Sequence, residues 1–116
     1  MVNNPGMERT RVVLANDPRS YREIIASALQ ALRPNIEVLM IEPESLDDLL
    51  VSLSPDLVIC SRLTAAVDEG ARSWVELYPE GERLVVMSIR GRRRTLGDVE
   101  LSHLLSIVDA AVKGTL

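Results

Sequence analysis

The chain has 116 residues, a net charge of −4 and a 47% apolar composition with no Phe. That length holds one domain of the usual size, about 100–150 residues, whose core must come from Leu, Val, Ile and Ala. The acidic balance excludes nucleic-acid binding by bulk charge, and no apolar run approaches the roughly 18 residues of a membrane helix.

Taken in chain order, residues 1–9 carry a Pro5-Gly6 turn signal and read as a disordered, polar lead-in to a single domain at 10–114. Arg11–Ala15 contains the unbroken run Val12-Val13-Leu14-Ala15, which predicts a strand buried on both faces, as in a parallel sheet. Asn16-Asp17-Pro18 breaks it, and Ser20 is placed to cap a helix running to about Leu32. Ile24, Ile25, Ala28, Leu29 and Leu32 form the stripe expected to face inward. Arg33-Pro34-Asn35 stops that helix, and Glu37–Ile41 is the second strand, ended by Pro43.

Ser45 is placed to cap a short second helix, with Asp47 and Asp48 in its first turn, where the helix dipole favours negative charge. Leu46, Leu49, Leu50 and Leu53 give it an apolar face. Ser54-Pro55 closes it and Asp56–Cys60 is the third strand. A third helix over about Ala65–Leu77, a Pro79-Glu80-Gly81 turn and a fourth strand at Leu84–Ile89 follow. The last helix is expected over about Asp98–Lys113, with Leu101, Leu104, Leu105, Val108, Ala111 and Val112 inward and Gly114 at its end. Alternating strands and helices predict an α/β fold built as a doubly wound parallel sheet in three layers.

Several stretches in this order resemble the receiver domain of two-component response regulators. Asn16-Asp17-Pro18-Arg19-Ser20-Tyr21-Arg22-Glu23 is similar to that family's paired-acid turn and first-helix start. Pro55-Asp56-Leu57-Val58-Ile59 looks like the run leading into its phosphoacceptor, and Asp68 stands near the place of its Asp-Gly pair. The likeness covers about residues 10–89. It implies a flavodoxin-like, receiver-like fold, here with the fourth helix and fifth strand shortened or missing. Between Ser88 and Asp98 there is too little chain for a helical crossover of roughly ten to twelve residues plus a parallel strand. Arg93–Leu96 can form at most a short strand, turning back at Arg90-Gly91 as an antiparallel hairpin.

The resemblance also implies a phosphorylation pocket at Asn16, Asp17, Ser61 and Ser88, and each position tests it. The acyl phosphate of that family forms on a carboxylate at the end of the third strand, where this chain has Ser61. Its Mg²⁺ needs several hard oxygen ligands; Asn16 replaces the first acid and only Asp17 remains. Ser88 matches the family's hydroxyl, whereas its fifth-strand Lys has no counterpart in Leu96-Gly97-Asp98. A non-phosphorylatable, receiver-like regulatory module acting by protein–protein contact is therefore expected.

Nothing in the chain argues for an enzyme, a cofactor or a metal site. Cys60, the single cysteine, excludes an internal disulfide and suits a reducing cytoplasm; ending a buried strand, it reads as a small hydrophobe. His103 has no second His or Cys at zinc spacing. Arg90-Gly91-Arg92-Arg93-Arg94 stands out from the acidic chain. After the fourth strand it should project from the carboxyl end of the sheet, where open α/β folds bind ligands. Two uses follow for it: local pairing on a solvated loop, or capture of an anion. The second gives the alternative function, a sensor that takes a small anionic ligand in the vacated pocket beside the arginines. The missing helix should leave an apolar sheet edge at Leu84-Val85-Val86-Met87, which predicts a homodimer or a complex with another signalling protein. Leu84, Val86 and His103 are the expected contact face.

Overall fold

The computed structural model describes residues 10–113. The chain runs β1 (Thr10–Ala15), α1 (Arg19–Leu32), β2 (Ile36–Met40), α2 (Pro43–Leu53), β3 (Leu57–Cys60), α3 (Ala65–Gly70), β4 (Ser73–Leu77), a 3₁₀ turn (Pro79–Gly81), β5 (Val85–Ile89), β6 (Arg92–Leu96) and α4 (Leu101–Lys113). The expectations for residues 1–9 and Gly114 lie outside the described residues.

All six strands join one sheet in the order β2-β1-β3-β4-β5-β6. The first four are parallel, with Val13 opposite Leu39 on one side and Val58 on the other, and Val58 opposite Trp74. The β4–β5 and β5–β6 pairs are antiparallel. The sheet is thus mixed, not the all-parallel sheet expected. Period-two alternation splits the strand residues between two cores. Val12, Leu14, Leu57, Ile59, Val75, Met87 and Ile89 pack with Ile25 and Leu29 of α1 and Leu104 and Val108 of α4. Val13, Val58, Cys60 and Trp74 pack with Leu46 and Leu50 of α2 and Val67 of α3. Helices therefore cover both faces, in three layers. Among the described residues no helix is long and apolar enough to cross a membrane.

The largest departure lies in the helix expected over 65–77. It stops at Gly70, after which Ser73–Leu77 is a strand. Val67, Ala71, Trp74 and Val75 satisfy helical spacing, but Trp74, Val75 and Leu77 are all buried. A six-residue helix followed by a strand buries both sides of that segment. A single helix would bury one stripe. The fourth expected strand is consequently the fifth, and it runs backwards.

The hairpin at Arg90-Gly91 is present. Ile89 pairs with Arg92 across it, and both turn residues have positive φ, 52° and 88°, the geometry of a tight primed turn, for which glycine is suited. Helix starts and faces also shift. Pro18 and Glu42, not Ser20 and Ser45, precede α1 and α2. Ile24 and Leu32 are 60% and 51% exposed, because the inward row of α1 is Arg22, Ile25, Ala26 and Leu29. Leu49 and Leu101 likewise turn outward, and Ile107 takes an inward place in α4.

Candidate functional site

Strand order reverses at β1: its chain leaves toward β2 on one side, and β3 lies on the other. The loops after β1 and β3 part there, leaving the crevice where α/β sheets bind ligands. A cleft of about 810 Å³ opens at this carboxyl end, lined among others by Asp17, Tyr21, Glu44, Ser61, Glu76 and Tyr78. Ser61 faces Asp17 directly. Its Oγ accepts from the Asp17 amide at 2.8 Å and its hydroxyl lies 3.3 Å from the Asp17 carbonyl oxygen.

Behind the cleft sits a buried cation on the inward row of α1, for which no site role was expected. The Arg22 side chain is 3% exposed. Its Nε donates to the Asn16 carbonyl at 2.9 Å, and its two terminal nitrogens lie 3.2 Å from Asp17 and 3.3 Å from Glu42. A buried guanidinium needs such partners. The signal was available: Arg22 stands three, four and seven residues before Ile25, Ala26 and Leu29, on their row. The Asn16 side chain is fully buried and its amide oxygen and nitrogen have no hydrogen-bond partner. At that place a neutral amide is cheaper than an ionised carboxylate.

Two more site residues were hidden by the misassigned helix. Glu76, at the end of β4, accepts from the Leu63 amide at 2.7 Å and so holds the loop after β3. Tyr78 stacks on Tyr21 with ring centroids 6.5 Å apart, and its hydroxyl donates to Asp98 at 2.7 Å.

The other expected site residues lie elsewhere. Ser88 pairs with Trp74 near the start of β4, at the amino end of the parallel strands, so it does not join Asn16, Asp17 and Ser61. Because β5 is antiparallel, the Arg90-Gly91 turn is also at that end, and the arginines do not face the cleft. Arg90 reaches the carbonyls of Ala111 and Val112, at 3.5 Å each, and so closes the end of α4. Arg93 stacks over Trp74 at 5.2 Å and pairs with Asp68 at 3.3 Å. Arg92 and Arg94 are exposed on β6 and unpaired with carboxylates among the described residues. The expected contact face is divided as well. Val86 packs on the α2–α3 side of the sheet, whereas His103 belongs to α4 on the opposite side, its Nδ1 accepting from the Glu100 amide at 3.4 Å. Leu84 precedes β5 and its carbonyl accepts from the Tyr78 amide.

Electrostatics at the cleft make an alkaline prediction. Burial, helped by the Glu76 charge, pushes the Cys60 thiol from 9.0 up to about 12. Partial burial and the bond to Asp98 push the Tyr78 phenol from 10.0 up to about 12. Both groups hold protons in the fold that the unfolded chain releases sooner. Their contribution is full below about pH 9 and is lost as pH rises toward 12. The urea midpoint should fall across that window and fall less in Cys60→Ala/Tyr78→Phe. An equally steep fall in the double variant would refute it. No family model, curated protein or solved structure matches the chain.

Proposed function

We propose that the chain is a receiver-like regulatory module that carries no phosphoryl chemistry and acts through protein contacts. The observation that carries this is the Ser61–Asp17 pair at the carboxyl end of β3 and β1. A receiver's acceptor carboxylate would stand at Ser61, on the strand order 2-1-3-4 that the parallel part of this sheet shares with flavodoxin-like folds. A serine hydroxyl gives no acyl phosphate. The Asp17 carboxylate, the remaining acid of the pair, already faces the Arg22 guanidinium, so its charge is met from within the fold and its pull on Mg²⁺ is weakened. The antiparallel β5 departs from the family, and a strand-borne Lys is missing from this end. A reducing compartment belongs to the same reading, supported by the single thiol of Cys60, which is buried.

Incubation with acetyl phosphate and Mg²⁺, followed by intact mass measurement, tests the reading. The expected spectrum is that of the untreated chain. A stoichiometric phosphoryl adduct would overturn it.

A further inference from the structure

We propose that the free edge of β6, with the groove beside α4, binds an extended acidic segment of a partner protein by strand addition. This gives the protein-contact reading above a surface and a partner chemistry, and in that respect rests on it. β6 is the last strand of the sheet. One of its sides pairs with β5; along the other, alternate backbone N–H and C=O groups have no strand beside them among the described residues. Such an edge is a template for a further strand.

Next to the edge lies a groove of about 770 Å³. Its floor is Met87 of β5 with Arg94 and Leu96 of β6, and its wall is the row His103, Ile107 and Ala110 of α4. That row follows from helical spacing of four and three residues. Strand period two puts Arg92, Arg94 and Leu96 on the same side of β6, facing α4. An added strand would send every second side chain to that side, so the groove selects an apolar residue there while the arginines select acids beside it.

Charge decides the occupant. Arg92 and Arg94 have no carboxylate partner among the described residues. The acids on the groove's rim are already engaged: Asp98 with Arg83 and Tyr78, and Asp109 with Arg33 through two hydrogen bonds of 2.8 Å. The net pull at the edge is therefore on anions. A second copy pairing β6 against β6 would set Arg92–Arg94 against the same arginines, and like charges placed opposite are destabilising. Phosphate chains would use the charge but neither the backbone edge nor the apolar groove. Arginines on an edge also guard against aggregation, but a guard has no use for a groove.

The test is an amide-resolved NMR titration of the ¹⁵N-labelled chain with the acetylated peptide Val-Thr-Glu-Thr-Glu-Thr-Val, whose Val and Glu side chains share one face of an added strand. Parallel arms use the same peptide with Lys for Glu, the same peptide with backbone N-methyl groups at alternate positions, and a short oligothymidylate. Expected are saturable shifts along residues 92–96 and the 103–110 side of α4. Affinity should drop about tenfold or more in R92E/R94E, since two attractive charge contacts become repulsive. The N-methylated peptide should lose a similar factor, because it cannot pair with the edge. Equal binding of the Lys or N-methylated peptide, binding of the oligonucleotide alone, a β6-paired dimer without peptide, or no saturable shift at millimolar peptide would each overturn the proposal. Failure here leaves the acetyl phosphate result untouched, and an adduct there would leave this titration to stand by itself.

Discussion

Trp74→Ala is expected to lower the free energy of unfolding by about 3–5 kcal/mol, the range for removing a buried indole. Trp74 is 1% exposed and packs in the core under α2 and α3 with Val58, Cys60 and Val67. α3 has only six residues, so the indole itself fills much of the space a longer helix would take. Its N–H donates to Asp68 at 3.2 Å, and Arg93 covers its ring. Trp74→Phe keeps most of the apolar area and loses that hydrogen bond, so its cost should be smaller, about 1–2 kcal/mol. Urea unfolding at constant m distinguishes the two. A loss under about 1 kcal/mol for the alanine variant would mean that Trp74 is outside the core and that β4 is misplaced.

The second large effect belongs to the Arg22 cluster, and there the order of the variants is the informative result. Removing the cation leaves Asp17 and Glu42, whose side chains are 63% and 53% exposed, free to rehydrate. Arg22→Met keeps most of the stem packing and chiefly forfeits the bond to the Asn16 carbonyl, a cost of about 1.5–3 kcal/mol. Replacing both acids with amides leaves the buried guanidinium among neutral oxygens with no counter-charge. Breaking a buried pair from one side costs about 3–5 kcal/mol, and the half-exposed partners bring the expected loss to about 2–4 kcal/mol. Asp17→Asn/Glu42→Gln should therefore be at least as damaging as Arg22→Met. If both acids can be neutralised with no loss while Arg22→Met unfolds the chain, the guanidinium acts through packing and not through charge.

Much of the fold was legible in short-range pattern. β1 and β3 are unbroken apolar runs, Pro43 and Ser54-Pro55 bracket α2, and Arg90-Gly91 announces a tight turn. The segment 65–77 was not, because Val67, Ala71, Trp74 and Val75 fit helical spacing although residues 73–77 form a strand buried on both faces. What decides between them is the partner on the other side, Val58 of β3, which is remote in sequence. That one choice reverses the direction of β5 and moves Ser88 and the arginines to the amino end of the parallel strands. The pair Asp17 and Ser61 survived it, since both follow strands whose direction was right. Arg22 lies on the inward row of α1 despite its charge, and a row through Arg22, Ile25, Ala26 and Leu29 leaves Ile24 outside.

The sharpest measurement is the amide spectrum of the ¹⁵N-labelled chain before and after Mg²⁺ with beryllofluoride, a mimic of the acyl phosphate. A module without phosphoryl chemistry should leave the amides of Asp17, Ser61 and Leu63 unmoved. Saturable displacement of those amides would show a working acceptor site and contradict the proposed function.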